Sequence, residues 1–114
     1  MTSGIKTVIY PVKDLAGAKA LYGTALGVEP DMDEAYYVGF TVGEQHIGLD
    51  PNGHTNGMAG PIAYYHVDDV NQSLQRLLTA GAIEHQAVQD VGGGKLVASV
   101  TDEDGNVIGL IQAP

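Results

Sequence analysis

Apolar positions along this chain change rhythm twice, from strand to helix and back to strand. Residues 7–15 read Thr-Val-Ile-Tyr-Pro-Val-Lys-Asp-Leu and residues 62–70 read Ile-Ala-Tyr-Tyr-His-Val-Asp-Asp-Val, each a largely apolar run leading into a helix. Laid over one another, Tyr10 meets Tyr65, Val12 meets Val67 and Asp14 meets Asp69. The two aspartates suit helix N-caps, where a carboxylate accepts hydrogen bonds from backbone N–H groups that the helix leaves unsatisfied. Gln72 stands three residues after Asp69, the spacing of a capping box. Leu15, Ala18, Tyr22, Ala25 and Leu26 then form one apolar stripe, and Val70, Leu74, Leu77 and Leu78 a second, both at the helical period. Gly27 and Gly81 follow as C-terminal caps.

Three strand-like runs come after each helix, about 28–32, 36–42 and 45–50 in the first half and about 82–90, 95–102 and 106–112 in the second. Asp104-Gly105 marks a hairpin between the last two. Ile47-Gly48-Leu49 and Ile108-Gly109-Leu110 end the halves alike, and the Gly- and Asn-rich residues 51–60 read as the linker. The chain therefore predicts a single α+β domain of two tandem βαβββ modules, about 1–50 and 61–114. On the first strand Val8, Tyr10 and Val12 are apolar, and so are Ile5, Ile9 and Pro11 on the opposite face. Both faces are then covered. The expected arrangement is mixed sheets curling into a cup, helices on the outer face and a pocket between the modules.

Val12-Lys13-Asp14-Leu15, the Leu26-Gly27 helix end and the closing run Thr101-Asp102-Glu103-Asp104-Gly105-Asn106-Val107-Ile108-Gly109-Leu110 resemble the vicinal oxygen chelate superfamily. That group holds glyoxalase I, bleomycin-resistance proteins, fosfomycin-resistance enzymes and extradiol dioxygenases. The resemblance spans nearly the whole chain and implies the paired-module fold. It selects no single activity, because one fold hosts many. In metal-dependent members the ligands come from the first and last strands of each module. The resemblance puts those positions at Thr7 and Ile62, five residues before Val12 and Val67, and at Gly48 and Gly109, between the Ile and Leu of each closing motif. His, Glu or Gln would be expected at all of them. A catalytic metal takes about three protein donors, so the resemblance implies a metal-free site here, without a cofactor.

Side chains alternate along a strand, so residues two or four away from those positions share their face. Ile5, Ile9 and Pro11 then join Thr7, His46 and Asp50 flank Gly48, Tyr64 and His66 follow Ile62, and Val107 and Ile111 flank Gly109. The expected lining is apolar, with His46, Asp50, Tyr64 and His66 as its polar points, which suits a small-molecule site. His46 or His66, with Tyr64, could act as acid and base, since imidazole titrates near neutrality; the alternative is that they are hydrogen-bonded or solvated at the mouth. His46 and Asp50 cannot share one metal on a regular strand, because four residues span about 13 Å.

His54 and His85 read as surface residues, and the acidic cluster Glu29, Asp31, Asp33 and Glu34 as a solvated edge. Tyr36 and Tyr37 open a strand and face opposite sides, so one packs inward or stacks on a planar ligand. Gly92-Gly93-Gly94 lacks the following helix and Gly-Lys-Ser/Thr pattern of a phosphate loop, and reads as a hairpin loop that could gate the cup.

Composition narrows the function classes. No cysteine is present, which excludes disulfides, thiolate metal sites and cysteine nucleophiles. Five Lys and Arg against 14 Asp and Glu give a net charge of −9, so nucleic acid is not an expected partner. Such a field would attract a cationic or planar small molecule, but an acidic surface also simply keeps a protein soluble, and that is the first reading of the charge. No apolar run reaches membrane-span length and the N-terminus lacks a signal-peptide core, which makes a cytoplasmic protein the expectation. Bare sheet edges and two-faced apolar strands favour a homodimer. Three functions remain open. They are a metal-free binder like the bleomycin-resistance proteins, a metal-independent isomerase or cyclase, and a metal-dependent lyase or dioxygenase with ligands elsewhere in the chain.

Overall fold

The structure, a computed structural model, describes residues 2–114. Its elements run β1 (Thr2–Pro11), α1 (Leu15–Leu26), β2 (Met32–Glu34), β3 (Tyr37–Val42), β4 (Gln45–Asp50), β5 (Ile62–Val67), α2 (Val70–Thr79), β6 (Ile83–Asp90), β7 (Leu96–Thr101) and β8 (Val107–Gln112). This is βαβββ twice, an α+β fold with parallel and antiparallel strand pairs. The chain forms two compact units, Lys6–Ile62 and residues 2–5 with Ala63–Pro114. No helix of the described residues is long and apolar enough to cross a membrane.

In the unit Lys6–Ile62 the strand order is β2-β3-β4-β1. β1 and β4 run parallel, joined through α1 and the β2–β3 hairpin, and β3–β4 is a tight antiparallel hairpin. Val38, Phe40 and Leu49 are buried at its centre, with Leu15, Tyr22 and Leu26 of α1 packed against them. The other unit repeats the scheme with order β5-β8-β7-β6, and Val70 and Leu74 of α2 meet Ala98, Val100 and Leu110. In each unit, then, one sheet face is occupied by a helix.

The helix ends follow their predicted caps in most respects. Asp14 accepts from Gly17 N at 3.0 Å and Asp69 from Gln72 N at 3.0 Å. Gly27 caps α1 in the left-handed region at φ 72°. At α2 the cap is Ala80, and Gly81 takes positive φ one residue later, at 109°. Ala25 is exposed and falls off the α1 stripe. Replacing Asp14 or Asp69 with alanine should each cost about 0.5–2 kcal/mol in urea unfolding, and an unchanged midpoint would remove the cap from the account.

β2 lies later than the pattern suggested, over Met32–Glu34, and all three of its residues are exposed. An edge strand that buries nothing leaves no apolar period to read. The last hairpin is closed by Asp102, whose carboxylate accepts from Asn106 N at 2.9 Å, Asn106 Nδ2 at 3.0 Å and Asp104 N at 2.9 Å. The Asn106 side chain is the largest cause holding this carboxyl below its ordinary value, followed by backbone N–H donors. A depressed carboxyl stabilises the fold above its unfolded pKa, and that contribution is lost as pH falls through the lower folded value. The stability gap between wild type and Asp102→Asn should therefore be constant near neutrality and close only below about pH 4, as read by urea titrations at several pH values.

Candidate functional site

Because Tyr10, Val38, Phe40 and Leu49 face α1, the alternate residues of β1, β3 and β4 lie on the helix-free face. Register then aligns them in rows across the strands. Thr7 pairs with His46 and His46 with Thr41; Ile9 pairs with Gly48 and Gly48 with Gly39; Pro11 pairs with Asp50. Thr7, Ile9, His46, Gly48 and Asp50 are thus gathered on one face, as expected. Their environments differ. Thr7 and Gly48 are buried, Ile9 and Asp50 half-buried, and His46 exposed. Asp50 is engaged in the following turn, where its carboxylate accepts from Asn52 N at 2.8 Å.

Tyr37 lies across the glycine row. A Cβ built on Gly48 would stand 1.9 Å from its hydroxyl oxygen, and one on Gly39 would stand 3.2 Å from its ring. Tyr36, by contrast, is exposed in the preceding turn. Beside Tyr37, the Thr41 hydroxyl donates to Asp31 Oδ2 at 2.6 Å, and its oxygen lies 3.2 Å from His46 Nδ1. Asp31 is held in place by its own N–H, which donates to Gly39 O at 2.9 Å. An open depression on the helix side of this unit, bordered by Ala20, Gly23, Val28 and Phe40, shares none of these polar groups.

The second unit places Tyr64, His66, Val107 and Gly109 on its own helix-free face, since Val67, Val100 and Leu110 face α2. Tyr64 pairs with Gly109, Gly109 with Ser99, and His66 with Ile111. Here the ring over the glycine is Tyr64: a Cβ on Gly109 would stand 2.6 Å from its Cδ1 and 2.9 Å from the Ala63 carbonyl oxygen. Ile62 and Tyr64 are buried, while His66 and Val107 are half-buried. His85, expected only as a surface residue, is exposed but also bonded, its Nδ1 lying 2.9 Å from the Oγ of fully buried Ser99.

Sequence reasoning therefore missed Asp31, Thr41, His85 and Ser99. The Thr41–His46 pair had a readable signal, because Gly43-Glu44 between them is the two-residue loop of a hairpin. The His85–Ser99 pair had none, because register shifts on β6 set which residue faces Ser99.

The donor set does not fit a metal at the positions the resemblance implies. Gly48 and Gly109 have no donor, and tyrosine rings stand where a donor side chain would start. Ile62 has none either, and Thr7 offers a single neutral oxygen. Among the described residues no three His, Cys, Asp or Glu side chains group closely enough to hold a metal ion.

Solved structures share this architecture at low identity. One described as an NAD-dependent benzaldehyde dehydrogenase from Legionella pneumophila is similar with a TM-score of 0.76 at 14% identity, over 95% of this chain and 98% of that one. Methylmalonyl-CoA epimerase from Mycobacterium tuberculosis gives 0.71 at 19% identity, over 99% and 90%. The Mn(II)-bound glyoxalase from Novosphingobium aromaticivorans gives 0.72 at 20% identity, over 97% of this chain but 39% of that longer one. Three different activities on one architecture show the fold and leave the chemistry to the site. No curated protein sequence matches the chain. The model of the Glyoxalase/Bleomycin resistance protein/Dioxygenase superfamily matches residues 4–110, nearly the whole length, and the chain belongs to that superfamily.

Proposed function

We propose that this protein is a metal-free small-molecule binder of the glyoxalase/bleomycin-resistance type, cytoplasmic and homodimeric, with its ligand taken up on the helix-free sheet faces. The observation that carries this reading is the tyrosine laid over each glycine of the closing motifs, Tyr37 on Gly48 and Tyr64 on Gly109. A ring fills the space from which a metal-binding side chain would project, and it offers a flat apolar surface in its place. Ile9, Ile62 and Val107 add apolar area, while His46, Asp50, Tyr64 and His66 supply polar points that orient a ligand. The net charge of −9 favours a planar ligand that is neutral or cationic.

Native mass spectrometry on protein purified without chelator tests the reading directly. A dimer free of stoichiometric metal, with a retained organic mass, is the expected result. One tightly held metal per chain would overturn it. For a binder, His66→Gln should weaken the retained ligand by no more than about tenfold, the scale of one hydrogen bond.

A second reading, a metal-independent isomerase or cyclase, is favoured by the hydrogen-bonded His46–Thr41–Asp31 chain. It requires that the retained compound be converted, and that His46→Gln abolish conversion while leaving affinity intact.

A further inference from the structure

Proton counting fixes more about His46 than its position does. The Asp31 carboxylate can only accept, so the single Thr41 hydroxyl proton goes to Asp31 Oδ2, 2.6 Å away. The Thr41 oxygen is then left to accept, and its remaining neighbour is His46 Nδ1 at 3.2 Å. That nitrogen must carry a proton. In a neutral imidazole one nitrogen donates and the other accepts, so Nε2 holds the lone pair. His46 itself is exposed on the helix-free face between Thr7 and Thr41, so its Nε2 is the ring nitrogen left to meet a ligand.

We propose that Asp31 and Thr41 are positioning residues that hold His46 in its Nδ1–H form, and that His46 Nε2 accepts the proton of a weakly acidic hydroxyl, phenol or enol, on the bound small molecule. The inference deepens the binder reading and rests on it for the presence of a ligand. The surroundings are consistent. Asp31 is tied through its N–H to Gly39 O, the Tyr37 ring lies alongside over Gly39 and Gly48, and an aromatic or enolic ligand stacked there would direct its hydroxyl toward the strand carrying His46. Proton transfer to Nε2 would leave an imidazolium whose Nδ1–H is still oriented through Thr41 toward the Asp31 carboxylate, and an anionic oxygen on the ligand beside it.

The tautomer is read without any ligand, by two-bond nitrogen–proton correlation NMR on 15N-histidine-labelled protein above the imidazole titration range. His46 is expected as Nδ1–H, opposite to the Nε2–H form that free histidine prefers. Thr41→Val should return it to Nε2–H, and Thr41→Ser, which keeps the hydroxyl, should not. An Nε2–H tautomer in the wild type overturns the proposal, whatever the native mass spectrum shows. A stoichiometric metal in that spectrum, with Nδ1–H intact, overturns the binder reading and leaves the tautomer standing.

The ligand class is tested with 4-nitrophenol as probe, whose absorbance distinguishes phenol from phenolate. Binding as phenolate at a pH where the free probe is largely protonated is expected, with affinity about tenfold weaker in His46→Gln. Equal affinity and an unshifted spectrum in the two proteins would overturn the assignment of Nε2 as acceptor.

Discussion

Replacing Gly109 with alanine should lower stability by about 3 kcal/mol, at the upper end of overpacking costs. The new methyl would meet Tyr64 Cδ1 at 2.6 Å, Tyr64 Cγ at 2.8 Å and the Ala63 carbonyl oxygen at 2.9 Å. Two of these atoms lie near the root of a ring that is 7% exposed, and the third is backbone, so none can swing aside. Gly48→Ala should cost less, about 1–2 kcal/mol. There the contacts, at 1.9, 2.5 and 2.9 Å, are the hydroxyl, Cζ and Cε1 of half-buried Tyr37, the outer end of a side chain and not its root or backbone. Tyr37→Ala should relieve most of the Gly48→Ala penalty, a coupling that a double-mutant cycle measures. Thermal melts serve, with a shift of roughly 4 °C per kcal/mol for a chain of this size. If Gly109→Ala melted with the wild type, the Tyr64 ring could not be lying where it is described.

Phe40→Ala is the other large effect expected, about 3–5 kcal/mol. Phe40 is 1% exposed, on the helix-covered side of β3, between Val38 and the residues of α1. Truncation removes most of a ring from water-free contact and leaves a cavity that a β-strand and a helix, fixed by their own hydrogen bonds, fill poorly. The urea midpoint should fall with the slope unchanged. Ile83→Ala, at a residue 67% exposed, is the control and should change stability by less than about 0.5 kcal/mol. A loss at Phe40 no larger than at Ile83 would mean that the core of this unit is misassigned.

Local signals explain what the sequence could be made to reveal. Asp14 and Asp69 announce helices within three residues of themselves, and the Val12/Val67 repeat announces a second module, because capping and alternation act over short stretches of chain. The same alternation was enough to gather Thr7, Ile9, His46, Gly48 and Asp50 on one face. What stayed hidden depends on register or on distant chain. β2 carries no buried residue, so Met32–Glu34 looked like part of a polar edge. Asp31 reaches Thr41 only because β2 and β3 form a hairpin that brings Met32 opposite Gly39. Glycines at 48 and 109 were plain to see, but nothing near them in sequence says that Tyr37 covers one and Tyr64 the other.

The register shifts on β6 matter beyond the placement of His85. β6 is the edge strand of its unit; Ile83 is exposed at its start and Val91 just beyond its end. A regular edge with such residues would be a template for another chain to add a strand, the first step toward aggregation. Breaks in pairing between Glu84 and Gln86 and between Gln86 and Gln89 leave no long flat stretch of backbone donors and acceptors to extend. The edge of the other unit is guarded differently, by a β2 of three residues that carries Asp33 and Glu34. Growth of this protein into fibrils by sheet continuation is thus resisted at β6 by irregularity and at β2 by brevity and charged side chains.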